Sequence, residues 1–141
     1  MRRLMLVVGM AGGCAPPPAV EGLSDGEPTI RIVYPPDGTE DIRLGLDRRL
    51  EVLVVVDFED FHFVPAYDKS EPVEGEGHWH LQVGDADVVP AEDLYVEFVS
   101  EPGAFDVGEL VLVTASLVGN NHQPVEGAQD ATIEFRVGGG L

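Results

Sequence analysis

The sequence has 141 residues, enough for one ordinary domain, and 44% of them are hydrophobic, which excludes a chain that is disordered throughout. A formal charge of −18 at pH 7 argues against nucleic acid as a partner. Cys14 is the one cysteine, so no disulfide can form within the chain and the fold must rest on its hydrophobic core.

The first predicted element is an export signal over residues 1–13. Arg2 and Arg3 form a charged start, and Leu4–Ala11 is an apolar stretch followed by small residues. This stretch is too short to span a bilayer as a helix, which takes about 20 apolar residues. The pattern is therefore typical of a signal peptide that is removed by cleavage.

The sequence Ala-Gly-Gly-Cys at residues 11–14 resembles the lipobox of bacterial lipoproteins, although Leu is usual at the position of Ala11. The resemblance implies cleavage before Cys14, a lipid on its sulfur, and a place in the bacterial cell envelope. The residue after the cysteine is Ala15 and not Asp, which resembles the pattern of lipoproteins sorted to the outer membrane. Such lipoproteins face the periplasm or the cell surface. The alternative is a buried N-terminal strand with an incidental cysteine.

Residues 14–28 are rich in Pro and Gly and predict a flexible tether between the lipidated cysteine and a domain. From residue 29 the pattern changes to short apolar runs rich in β-branched residues, which is typical of strands. The predicted strands are Thr29–Tyr34, Leu50–Phe58, His78–Val83, Leu94–Val99, Leu110–Val118 and Ala131–Val137.

No segment shows a sustained helical period, and the nearest candidate, Ile42–Leu46, is interrupted by Gly45. Six or seven strands separated by turn signals predict an all-β domain over residues 29–137, with a flexible tail at 138–141. The expected architecture is a single antiparallel immunoglobulin-like β-sandwich. The cysteine pair of true antibody domains is absent, so this prediction concerns architecture alone.

Two histidines on one predicted strand are the most chemically suggestive feature. Alternation along the strand places Trp79 and Leu81 on an apolar face, and His78 and His80 on the opposite face. A His-x-His pair of this kind can hold one metal ion, and His122, in a loop between two predicted strands, is the third candidate ligand. Two or three imidazoles suit copper or zinc.

His62 is a further candidate ligand, and the nearby carboxylates Asp57, Glu59 and Asp60 could orient an imidazole through hydrogen bonds. Each of these features also has a simpler interpretation. The carboxylates could be a solvated rim, and the His-x-His pair could hydrogen-bond loop backbone and fix a turn.

The sequence Gly-His-Trp-His-Leu at residues 77–81, with Asn-Asn-His-x-Pro at 120–124, resembles a group of small exported bacterial β-sandwich domains. Those domains carry Gly-His-x-His followed by Asn-x-His. The resemblance covers roughly residues 30–137 and implies a shared site at His78, His80 and His122. It implies no named activity.

Catalysis is not indicated by the sequence. Ser100 and Ser116 lack a nucleophile signature such as Gly-x-Ser-x-Gly, and no phosphate-binding glycine loop or dinucleotide fingerprint occurs. The His-x-His strand is similar to that of copper-zinc superoxide dismutases, but that family needs more than the 4 histidines present here and a disulfide. We therefore predict a non-enzymatic, lipid-anchored binding domain for copper or zinc. The alternative is a metal-free structural module of the cell envelope, or one that contacts a protein or glycan partner.

Overall fold

The computed structural model of the chain describes residues 27–65 and 71–138. The predicted signal peptide, Cys14 and all but the last two residues of the predicted tether lie outside the described residues, as do residues 139–141. The described part is all-β and contains no helix, so no helical segment in it could cross a membrane. Its strands are β1 (Thr29–Tyr34), β2 (Thr39–Arg43), β3 (Glu51–Glu59), β4 (His62–Phe63), β5 (Glu76–Val83), β6 (Val89–Pro90), β7 (Tyr95–Val99), β8 (Leu110–Gly119) and β9 (Ala131–Gly138).

The strands form two sheets. The first has three antiparallel strands in the order β1-β3-β7. The second has the order β2-β9-β8-β5-β4, with β6 paired to another part of β5. Its central pairs, β5 with β8 and β8 with β9, are antiparallel, whereas β2 runs parallel to β9 and β4 runs parallel to β5. The predicted all-β fold is therefore confirmed for the described residues.

One hydrophobic core joins the two sheets. Alternate residues of β3 and of β5 are buried in the same cluster, and they pack with apolar residues of β8 and β9. Burying a side chain of this size contributes about 1.5–3 kcal/mol, so this core is the main source of stability in a domain without disulfides. The central residues include Val52, Val54, Trp79, Leu81, Val113 and Phe135.

The six predicted strands are present. β1 has the predicted bounds, and the ends of the others differ by at most two residues; β9, for example, includes Gly138. Strands β2, β4 and β6 were not predicted. Strand β2 is polar and half-exposed, so it has no alternating pattern, and its pairing with β9 holds it in place. Strands β4 and β6 have two residues each, which is too short for a periodic signal.

Candidate metal centre

Strand β5 separates its apolar and polar side chains onto two faces. Trp79 and Leu81 are fully buried in the core, and the Trp79 indole Nε1–H donates a hydrogen bond to Asp93 O at 2.8 Å. His78 and His80 therefore project from the opposite face of the same sheet. The predicted alternation is confirmed, and Trp79 is a core residue rather than part of the site.

Two glycines shape the start of this strand. Gly75 has a φ of 76°, a left-handed conformation that favours glycine. Gly77 pairs with Gly119 of β8, and a Cβ atom at Gly77 would overlap the backbone of Val118 and Gly119. The close approach brings the end of β8, and the loop that follows it, against the strand that carries His78.

The loop after β8 turns tightly and presents His122. The His122 N–H donates to Gly119 O at 2.9 Å, and the Gly119 N–H donates to Gln123 O at 2.8 Å. His122 has a φ of 65°, in the left-handed region that hairpin loops of this kind usually fill with Gly. A histidine thus occupies a position where the backbone alone would favour glycine, and backbone strain of this kind is often found at functional sites.

The three imidazoles converge. The His78 Nε2 and His80 Nε2 atoms lie 3.1 Å apart, and the His122 ring centroid lies 4.7 Å from that of His78 and 5.8 Å from that of His80. One ring nitrogen from each residue lies within 4.8 Å of the others. Two nitrogens on one ion at 2.0–2.1 Å are about 3 Å apart, so His78 and His80 already have the spacing of two ligands to one metal. This cluster could hold a metal ion.

Burial increases from the loop to the strand. His122 is exposed, His80 is half-buried and His78 is fully buried. Burial, with the nearby His80 and His122, lowers the pKa of His78 to about 4. Burial and then His122 lower the pKa of His80 as well. The rings of His78 and His80 are therefore neutral at pH 7, the protonation state in which an imidazole can donate a lone pair to a metal.

One nitrogen of His78 has no hydrogen-bond partner. Nδ1 of His78 is buried and unpaired within the described part of the chain, as is Oδ1 of Asn120. Buried polar atoms without a partner are uncommon in folded proteins. The nitrogen of His78 that faces His80 is Nε2, so the ligand site is indicated by the convergence of the three rings and not by the unpaired Nδ1.

Asn120 ties the loop to the strand. Its buried Nδ2 donates to Glu71 O at 2.9 Å and to Glu76 Oε1 at 3.0 Å. Glu76 is the first residue of β5 and lies two residues before His78. The amide thus links the loop that carries His122 to the strand that carries the other two histidines. In the sequence Asn120 stands out only as part of a motif, and this role was not predicted.

The other candidate residues lie outside the converging group. His62 is exposed in β4 and pairs with Glu76 at the start of β5, and it is not one of the three residues whose ligand atoms meet. Asp57 belongs to the other sheet, where its Oδ2 accepts from Arg31 Nη2 at 2.9 Å. Glu59 and Asp60 are exposed at the end of β3. Of the candidates in the described part of the chain, the structure therefore brings together His78, His80 and His122 alone.

No protein-family model matches the chain, and no curated protein or solved structure matches it either. The fold and the site together define a class: an all-β protein with a cluster of three histidines that could hold a metal ion. What the protein does must therefore be argued from the site.

Proposed function

We propose that this protein binds one copper or zinc ion through His78, His80 and His122. The observation that carries the proposal is the convergence of three imidazoles, with one nitrogen of each within 4.8 Å of the others. Imidazole is a borderline ligand that suits these two metals, and neither a thiolate nor a carboxylate belongs to the group. For an all-nitrogen site copper(II) is expected to bind more tightly than zinc.

The protein would act by capturing the ion, without catalysing a reaction. The formal charge of −18 raises the local concentration of cations around the domain, which favours capture. The same charge makes nucleic acid an unfavourable partner. Buried Ser100 supports binding rather than nucleophilic catalysis, because its hydroxyl accepts from Leu50 N–H and donates to Glu101 O.

We further propose that the domain works at the bacterial cell envelope, held by a lipid on Cys14. The support is the sequence of residues 1–28, in which a short apolar stretch precedes a cysteine and a Pro-rich tether follows it. The residue after the cysteine, Ala15, favours the outer membrane. A tethered domain of this kind would meet metal ions in the periplasm or outside the cell.

We also propose that the two sheets form an immunoglobulin-like sandwich, and the strand order supports this. In that fold the chain-order strands A, B and E share one sheet, and C, F and G share the other. Assigning A, B, C, E, F and G to β1, β3, β5, β7, β8 and β9 reproduces both groups. The histidines would then lie on strand C and on the loop between strands F and G.

A metal-free role is the second candidate. The distance of 3.1 Å between His78 Nε2 and His80 Nε2 also suits a direct hydrogen bond between a protonated and an unprotonated nitrogen. The cluster would then stiffen the end of β5 in a structural module, or in one that contacts a protein or glycan. Metal binding and this hydrogen bond exclude each other, because both use the same nitrogen lone pair.

Calorimetric titration of copper(II) and zinc(II) into untagged protein distinguishes the two candidates. We expect one ion to bind per chain, and we expect a His78→Ala/His80→Ala double variant to lose this binding. Because His78 is buried, His122→Gly provides a second test that leaves the strand intact, and His62→Ala is the matched control with unchanged affinity. Wild-type binding no tighter than that of both histidine variants would favour the metal-free module.

A further inference from the structure

We propose that an ion on the three histidines keeps one coordination position open toward solvent on the His122 side, and that this position accepts a neutral nitrogen donor of the imidazole type from outside the chain. The inference rests on the proposed metal binding and goes further by naming the class of ligand that the loaded site takes. Its consequence is transfer of the ion by ligand exchange.

The ligands that the described residues supply leave the coordination sphere incomplete. The described residues supply three converging ligands, one nitrogen from each of His78, His80 and His122. Zinc prefers four ligands in a tetrahedron and copper(II) prefers four in a plane. Sites with four protein ligands are typical of structural ions, whereas three ligands and an open position are typical of ions that meet an outside molecule.

The burial of the ligands gives this open position a direction. His78 is fully buried and His80 is half-buried, so the strand side of the site is closed by protein. His122 is exposed, and so are its neighbours Asn121 and Gln123. Within the described part of the chain, the most exposed approach to the ion is therefore past the loop that follows β8.

Charge selects the kind of ligand. Three neutral imidazoles leave the ion with its full positive charge, which by itself would favour an anion. The formal charge of −18, however, repels anions from the whole domain and leaves neutral donors unaffected. A neutral imidazole, free or as a histidine side chain of a partner, is also the same donor that the site itself supplies.

His122 is the ligand that a second donor from a partner would replace. It is the exposed member of the group, and its φ of 65° gives the loop a conformation that is costly for a non-glycine residue. The first nitrogen fills the open position while His122 stays bound, so the ion then has four nitrogen ligands. When the bound partner supplies a second nitrogen, the bond to that nitrogen forms as the bond to His122 breaks, so the coordination number stays at four.

The test uses the full chain without an affinity tag, with Cys14→Ser to remove the thiol as a competing ligand, loaded with one equivalent of copper(II). Imidazole is added while the visible ligand-field band and the electron paramagnetic resonance spectrum are followed, and copper retention is checked by filtration. We expect one imidazole to bind per copper in this protein, two in His122→Gly, and one in the matched control His62→Ala.

Azide tests the charge argument in the same samples. We expect azide to bind more weakly than imidazole at low ionic strength, and to gain affinity when sodium perchlorate screens the negative surface. Imidazole affinity should not change with this salt. Tighter binding of azide than of imidazole at low salt would overturn the proposed ligand class.

Failure of this inference is distinguishable from failure of metal binding. A copper spectrum that does not respond to imidazole, in protein that calorimetry shows to bind copper, would mean that the fourth position is closed. An increase to two bound imidazoles in His62→Ala would show that His62 is an internal ligand, and it would also overturn the proposal. Protein that binds no copper would refute the proposed function and this inference with it.

Discussion

His122 is under opposite demands from its backbone and its side chain. Its φ of 65° favours glycine, whereas the convergence with His78 and His80 requires an imidazole. A left-handed conformation costs a non-glycine residue roughly 1–2 kcal/mol of stability. Glycine avoids this cost, but it loses more chain entropy on folding, which offsets part of the gain. Such a cost is expected where a residue is kept for its chemistry.

His122→Gly should therefore make the metal-free protein more stable by about 0.5–1 kcal/mol while it weakens metal binding. Denaturant unfolding in the presence of a chelator measures the first effect, and calorimetric titration measures the second. Asp60→Gly is the matched control, because Asp60 has a φ of 56° but lies outside the histidine group, so it should gain stability without losing metal affinity. A metal-free His122→Gly protein that is clearly less stable would indicate a structural imidazole.

The buried ring of His78 should make the metal-free protein sensitive to acid. The folded state holds the pKa of His78 near 4, below its ordinary value of 6.5, so between pH 6.5 and 4 the unfolded chain binds more protons than the folded one. Stability should fall as the pH decreases through this window, by about 3 kcal/mol at its lower end. Above pH 7 the ring of His78 should contribute no pH dependence to the stability.

Unfolding of wild-type protein and of His78→Gln, both measured with chelator from pH 7.5 to 4, isolates this contribution from that of the many carboxylates. The difference in stability between the two proteins should shrink or reverse as the pH falls. Parallel stability curves would mean that the His78 ring is not kept neutral by its surroundings.

At the scale of elements, the site depends on the contact between β5 and the loop after β8. Asn120 makes this contact through two hydrogen bonds, to Glu71 O and to Glu76 Oε1. Asn120→Ala should therefore destabilise the protein by roughly 1–3 kcal/mol and, by freeing the loop, reduce metal affinity about 10- to 100-fold. Denaturant unfolding measures the change in stability, and calorimetric titration measures the change in metal affinity.

Gln82→Ala is the control for this variant. Gln82 lies on the same face of β5 as the histidines but is exposed, and its Nε2 donates to Ala86 O at 3.1 Å. Its replacement should change stability by less than about 0.5 kcal/mol and leave metal affinity unchanged. If Asn120→Ala kept full affinity for the ion, the loop would be held by other contacts and Asn120 would not position His122.

The sequence predicted the strand that carries His78 and His80 because Trp79, Leu81 and Val83 mark one apolar face, which assigns the histidines to the other. It also singled out His122. Gly77 predicted a close approach by neighbouring backbone, but the sequence predicted neither that this backbone is Val118 nor the link made by Asn120, because both depend on which strands become neighbours. Strand β2 was missed for the same reason. Its sequence has no alternating pattern, and it is a strand because it pairs with β9.

For the whole molecule, the predicted lipid on Cys14 accounts for how so acidic a domain would remain at the envelope. Cells that make the protein should contain it in the membrane fraction, with a mass that corresponds to a chain beginning at Cys14 and carrying acyl groups. Cys14→Ser should move the protein to the soluble fraction with its leader uncleaved. Mass spectrometry of both fractions checks this, and an unacylated full-length wild-type chain in the soluble fraction would contradict it.

The central claim is that one ion is held by His78, His80 and His122 together. A crystal structure of zinc-loaded protein, with anomalous diffraction recorded on both sides of the zinc absorption edge, tests it most directly. We expect one anomalous peak that lies about 2.0–2.1 Å from one ring nitrogen of each histidine. A structure without a peak there, in which His78 Nε2 and His80 Nε2 remain hydrogen-bonded to each other, would contradict the claim.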